Sequence, residues 1–380
     1  MKIEKVETFL VEAGARNWLF TKIFTDVGIT GISETTIKRK ERTLKSSVEE
    51  LTRFLLGKDP TCIEDHVEKM YRDAFWVGGA MLSSAISAVE AAMWDILGKS
   101  VGLPVYKLLG GPTREKIRVY CWIGAGKDAP LSAWKEAGLA AKELGYTAVK
   151  IGALGMTSRY GSEKETEGLS PVVIKEVASR LGAVREAVGW DFDIAIDLGG
   201  RLNAANAIRL ISALEDLDLM FVEEPLPPEN VDALARVAQA VQTPLATGER
   251  LHTRYAYRAL LEKQAVAVLQ PDVCNVGGIM EAKKVAALAE AWYVPIAPHN
   301  PNGPIATAMT AHVAASIPNF LIMETVGGMG VEKQRHEEIV LETLKVKDGY
   351  LELPVRPGLG VELNDESMAR HPFVISDARR

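Results

Sequence analysis

Short apolar runs that close on an ionisable residue recur at a regular beat in the second half of the chain. IAID closes on Asp197, FVE on Glu223, LATGE on Glu249, VLQPD on Asp272, PIAPH on His299 and LIME on Glu324. The intervals from Asp197 to Glu223 and from Glu223 to Glu249 are both 26 residues, about one strand, loop, helix and loop of a parallel barrel. Between the runs lie Ala- and Leu-rich stretches at helical spacing, such as AANAIRLISALEDL and MEAKKVAALAEAW. Strands that are nearly all apolar, rather than alternating, suit a sheet covered on both faces. Adding IRVYCWIG and TAVKIG brings the count to eight, which calls for closure into a barrel with the ionisable ends at one mouth. Glu224 directly follows Glu223 and is expected to face the other way along its strand.

The first 116 residues read differently. KIEKVETFLVEA and LFTKIFTDVGITGISE alternate like short antiparallel strands turned at Asp26, Gly28 and Gly31. The intervening AGARNW predicts a loop that presents Trp18 at its tip, as an edge plug or a substrate-side wall. Ser46 with Glu49 and Thr61 with Glu64 have capping-box spacing. The run Ala85 to Leu97 places Ile86, Val89, Met93, Ile96 and Leu97 on one helical face, stopped by Gly98, Gly102 and Pro104. Beyond the eighth strand, Lys347 to Leu353 predicts a hairpin in a tail that returns to the amino-terminal part. The expected division is therefore a capping domain over 1–116, a barrel over 117–335 and a returning tail over 336–380. ALGMTSRYGSEKETEGLSP, which follows TAVKIG, is too long and polar for a simple connection and reads as a lid.

Composition narrows the function. The 380 residues carry a net charge of -6 with a pI near 5.7, and the Lys and Arg residues are not gathered into a block, so neither a nucleic acid nor an anionic membrane is the expected partner. Small molecules suit the chain better. No run of about 18 apolar residues exists to span a bilayer, and MKIEKVETFLVEAG lacks the apolar core of a secretion signal. Cys62, Cys121 and Cys274 fit neither a disulfide framework nor a CxxC metal site and read as buried thiols in a cytoplasmic protein.

Three carboxylates converging on one point repel one another and need a cation. An all-oxygen donor set selects a hard ion, so Asp197, Glu223 and Glu249 are candidate ligands of Mg2+. His299 lies between Pro298 and an NPNGP turn, where packing gives no reason for a histidine. Asp272, one strand earlier, can accept its N–H, and such a pair makes a general base. Lys150, ending the second strand, could orient a bound anion or act as a second base. Glu324 has no obvious cation partner and is expected to stay protonated if desolvated, donating to developing oxygen charge. A Mg2+ ion on a substrate carboxylate with a base beside its alpha carbon stabilises the ene-diolate formed on proton loss.

With these residues the sequence resembles the enolase superfamily, mandelate racemase subgroup. The resemblance is carried by WDILGK and LPVYKLLGG in the first part and by GER, QPD, APH and the final glutamate in the barrel. Through NWLF, GKDP, IEDH, FVEEP, GERLHTR, APHNPNGPIA and RPGLG it is most similar to acid-sugar dehydratases of the galactonate dehydratase type. The resemblance implies an α/β fold, a modified (β/α)7β TIM-type barrel with an α+β capping domain built from both termini. It also implies Mg2+ on Asp197, Glu223 and Glu249, proton abstraction by His299 with Asp272, and Glu324 near the substrate carboxylate. Loops at Trp18 and at Phe75 to Ala80 would close over a sugar-acid substrate, with Arg250 and Tyr160 as further substrate-side candidates, in a homo-oligomer such as a dimer or octamer. Two departures stand out. Galactonate dehydratases have a histidine two residues after the first metal ligand, where this chain has Gly199. Racemases of the subgroup have a Lys-x-Lys pair on strand two, where the second position is Gly152. His299, Lys150 or Tyr160 is then left to protonate the leaving hydroxyl. Epimerisation or lactone cycloisomerisation through the same ene-diolate is the alternative, and a barrel that only binds a ligand is a third.

Overall fold

The computed structural model describes residues 1–14, 16–73, 75–126, 128–154, 169–325 and 330–375. β1 (Ile3–Glu12), β2 (Asn17–Thr25) and β3 (Thr30–Thr35) form an antiparallel meander. Helices α1 (Glu41–Leu51), α2 (Ile63–Arg72) and α3 (Gly79–Val101) follow it. α3 packs against β3 so closely that a Cβ on Gly31 would lie 2.1 Å from the Ala92 carbonyl oxygen. Expected to bury one face, α3 is instead buried on all sides from Ser83 to Ile96. It is long and apolar enough to cross a membrane, but here it is a core helix beneath the sheet and against the barrel.

The barrel runs through β4 (Lys116–Ile123), β5 (Ala148–Gly152), β6 (Asp193–Asp197), β7 (Phe221–Glu223), β8 (Leu245–Thr247) and β9 (Val268–Leu269), all parallel. β10 (Met323–Thr325) pairs with β4 and completes the ring. The seventh position is no regular strand: Ile296 alone bridges Leu269 and Phe320, because Pro295 and Pro298 have no N–H to offer a ladder. One residue from each position (Tyr120, Ala148, Ala195, Phe221, Ala246, Val268, Ala297 and Ile322) fills the interior, small side chains making room for the two rings.

Several local expectations fail for identifiable reasons. α1 begins at Glu41, so Ser46 is mid-helix and donates its hydroxyl back to the Arg42 carbonyl at 3.2 Å. α2 begins after Cys62, and Thr61 bonds Asp59 instead of capping. Trp18 is not on a loop tip; it is the second residue of β2 and wholly buried. Cys62 is exposed, whereas Cys121 and Cys274 are buried. The tail hairpin, β11 (Val346–Lys347) with β12 (Tyr350–Glu352), pairs with β4 of the barrel. The segment after it reaches the first part of the chain: Glu12 donates its N–H to the His371 carbonyl, and Leu359 donates to Asp95 at 2.7 Å.

Candidate active site

Parallel strands end on the same side, so register alone gathers the ionisable ends. Asp197 pairs with Glu223 across β6 and β7, and with Gly152 across β5 and β6. Glu249, Asp272 and His299 lie just beyond their strands, and Glu324 is inside β10. The imidazole of His299 spans two acids: Nδ1 is 2.8 Å from Asp272 Oδ2 and Nε2 is 2.9 Å from Glu249 Oε2. Asp272 is itself held, its Oδ1 accepting the Cys274 N–H at 2.7 Å. A carboxylate on Nδ1 fixes the tautomer and orientation of the ring. Burial would lower the affinity of His299 for its proton, but Glu249, Glu324 and Asp272 outweigh it and hold the ring protonated well above the ordinary range.

Lys150 is wholly buried. Its ammonium donates to Glu223 at 2.7 and 2.9 Å and lies 3.2 Å from Glu324. The rings of Trp122 and Tyr120 stand 4.6 and 5.3 Å from it, a cation–π enclosure. Glu324 therefore has the cation partner that the sequence did not reveal. It also accepts the Trp122 indole N–H and, at 3.0 Å, the Asn300 N–H. Burial would raise its carboxyl, but Lys150, His299 and these donors hold it below the usual range, so it is a carboxylate and not the protonated donor expected. Gln270 donates to Glu223 at 2.8 Å.

The remaining acids are under strain of charge. Asp197 is pushed up to about 6, by burial first and then by Glu249. Glu223 is pushed well above its ordinary value by burial, and the charges of Asp197 and Glu249 add to it against the pull of Lys150. Glu249 is held near 2, because His299 outweighs its burial. Six carboxylates, Glu224 included, thus face Lys150, His299 and Arg250, a surplus of oxygen donors that suits a divalent cation. Ligand atoms of Glu223, Glu249 and His299 come within 4.8 Å of one another. Asp197 stands beside them with Oδ1 accepting the Gly199 N–H at 2.6 Å.

Other expected residues have other partners or lie outside the described residues. Arg250 donates to Glu224 (Nε at 2.7 Å) and to the Leu226 carbonyl, so its guanidinium is turned onto the protein. Glu224 itself, at φ +46, leaves the strand direction and also accepts the Thr247 hydroxyl. Tyr160 and the centre of the long loop lie outside the described residues. Phe75 and Trp76 project into solvent, 91% and 84% exposed, packed edge to face on each other. Gly199, at φ +62, offers no side chain beside Asp197. Trp122, Gln270 and Asn300 were missed. Only Trp122 had a signal: it alternates with Tyr120 along IRVYCWIG and so faces the same way.

The chain matches the family model described as enolase C-terminal domain-like over residues 133–367, and the mandelate racemase/muconate lactonizing enzyme N-terminal domain over 9–110. A D-galactonate dehydratase of Variovorax paradoxus is 37% identical over 96% of this chain and 93% of its own. Another, of Cronobacter sakazakii, is 34% identical over 100% of this chain and 96% of its own. Among solved structures, a candidate dehydratase of Salmonella enterica serovar Typhimurium superimposes with a TM-score of 0.93 at 33% identity, covering 98% of this chain and 99% of that one. A candidate galactarate dehydratase of Agrobacterium radiobacter, with sodium and L-malate bound, gives 0.88 at 35% identity, covering 98% and 96%.

Proposed function

The chain belongs to the mandelate racemase/muconate lactonizing enzyme family of the enolase superfamily, and from that premise we propose that it converts a sugar acid to a 2-keto-3-deoxy acid, with Asp197, Glu223 and Glu249 as ligands of Mg2+. Its kinship to several D-galactonate dehydratases makes it a hydro-lyase. The observation that carries the reading is the His299–Asp272 pair at 2.8 Å, set beside the strand-end acids. Asp197, Glu223 and Glu249 offer only oxygen, which fits a hard cation; Lys150 on Glu223 and His299 on Glu249 are the contacts such an ion would have to share or replace. Bound there, that ion supplies the positive charge that stabilises an ene-diolate.

With the charge of Glu249 offset by the cation it would hold, His299 can shed the proton that the acids otherwise keep on it, and Nε2 takes the alpha proton while Asp272 holds the Nδ1–H tautomer and stabilises the imidazolium. The electron pair of the broken C–H bond enters the ene-diolate. Its collapse breaks the bond to the beta hydroxyl, which leaves as water with the proton from His299, and the resulting enol becomes the keto acid. We assign both steps to His299, since Gly199 has no side chain and Lys150 is committed to Glu223 and Glu324; Tyr160, the other candidate acid, lies outside the described residues. The same commitment of Lys150, with Gly152 beyond it, counts against epimerisation, which needs a second base on the opposite face.

The test is a sugar-acid library incubated with Mg2+ in D2O and followed by NMR. At least one acid should give a keto acid, and His299→Asn should abolish the reaction. Alpha deuterium without loss of water would point to epimerisation, and no conversion of any acid would refute the proposal.

A further inference from the structure

The helix Pro304–Ser316, which follows the His299 loop, cannot cap itself. Its N-cap residue is Gly303, without a side chain, and Pro304 at the first position has no N–H. The three amides left over all go to one carboxylate from the meander. Glu34, wholly buried in β3, accepts from Gly303 at 2.6 Å and from Ile305 and Ala306 at 3.2 and 3.1 Å. The approach is tight enough to require glycine: a Cβ on residue 303 would meet both Glu34 oxygens at 2.7 Å and Trp18 at 2.8 Å. φ at Gly303 is -82°, so space and not conformation sets the choice.

The same residue reaches the other arm of the His299–Asp272 pair. The Glu34 carbonyl accepts the Cys274 thiol at 3.2 Å, and the Cys274 N–H donates to Asp272. On the first arm, Asn302, next to Gly303, donates to Asp272 Oδ2 at 3.4 Å. We infer that Glu34 is a positioning residue that sets the His299–Asp272 geometry, clamping both loops from outside the barrel. The clamp matters because small displacements of a reacting group cost rate steeply. This inference rests on the reading of His299 and Asp272 as the proton-abstracting pair.

Glu34→Gln keeps the volume but presents an amide N–H to backbone N–H groups; Glu34→Asp keeps both oxygens on a shorter stem. Glu90→Gln is the matched control. Glu90 is an equally buried acid on α3 that caps the neighbouring helix Ile279–Glu290 through the Ile279 and Met280 amides, without touching His299 or Asp272. Three readouts are taken on the intact protein: amide hydrogen exchange, the His299 Nδ1–H proton resonance assigned with His299→Asn, and steady-state kinetics. Glu34→Gln should speed exchange at Gly303, Ile305 and Ala306, shift the imidazole resonance, and lower kcat about tenfold with little change in KM. Glu34→Asp should recover part of each. Glu90→Gln should speed exchange only at Ile279 and Met280. Faster exchange in Glu34→Gln with an unmoved imidazole resonance would overturn the inference and leave Glu34 a helix cap. If Glu34→Gln does not fold, the same resonance in Glu34→Asp decides. The resonance reports without turnover, so a wild type inert toward every sugar acid would sink the proposed function while this readout still decides the position.

Discussion

Lys150→Met tests the electrostatics of the mouth most directly. The replacement keeps most of the side-chain volume and removes the ammonium that stands 2.7 Å from Glu223 and 3.2 Å from Glu324, both wholly buried. Removing one partner from a buried ion pair costs about 3–5 kcal/mol, because the other charge stays behind unpaired. At roughly 2.1 cal/mol/K of unfolding entropy per residue, a chain of 380 residues loses about 1.25 °C of Tm per kcal/mol, so the expected fall is about 4–6 °C. The assay is thermal unfolding in EDTA. Lys150→Met/Glu324→Gln should recover about 1–2 kcal/mol of the loss, the coupling expected of residues in direct contact. If Glu223 holds Mg2+ as proposed, adding the ion should narrow the gap further. A variant that melts with wild type in EDTA, or a double variant additive with its singles, would refute the account.

Two other outcomes follow from buried donors and acids. Burial pushes Glu34 and Glu90 up to about 7. A raised acid favours the folded state while protonated, so that contribution is full below about 4.5 and is lost as pH rises through 7. Between pH 6 and pH 8 each should cost about 1 kcal/mol; Glu90→Gln should flatten the pH dependence of Tm over that window, and an unchanged slope would count against it. Trp122→Phe keeps a ring over Lys150 but deletes the N–H to Glu324, a charge-assisted bond worth about 1.5–3 kcal/mol. Its Tm should fall by about 2–4 °C, and a loss no larger than that of Trp76→Phe, on the exposed rim, would show that the indole holds nothing.

What the sequence revealed of the fold, it revealed through burial. A strand covered on both faces must be apolar, so β4 to β10 announced themselves together with the residues at their ends. The failures have the same root, because spacing without burial is ambiguous. Ser46 and Glu49 have the spacing of a capping box, but that spacing recurs inside any helix, and here the helix had already begun at Glu41. AGARNW has the composition of a loop, yet the strand resumes at Asn17 and carries Trp18 into the core. PIAPH has the apolar texture of a strand, but its two prolines leave only the bridge at Ile296.

In the site, the acids were legible and their partners were not. A strand-end residue is placed by its own apolar run, whereas Lys150 meets Glu223 and Glu324 only because closure brings β5, β7 and β10 around one axis. No local pattern encodes a contact across a barrel, so Glu324 looked unpaired and its protonation state came out reversed. Glu34 is the extreme case: 269 residues separate it from the Gly303 amide it accepts. The sequence did carry the complement of that contact, since a helix opening on Gly-Pro has no cap of its own and requires an acceptor from somewhere else. An uncapped helix start beside a candidate base is thus a local question whose answer lies in another part of the fold. In this chain the answer ties β3 to the loops that carry both residues of the pair.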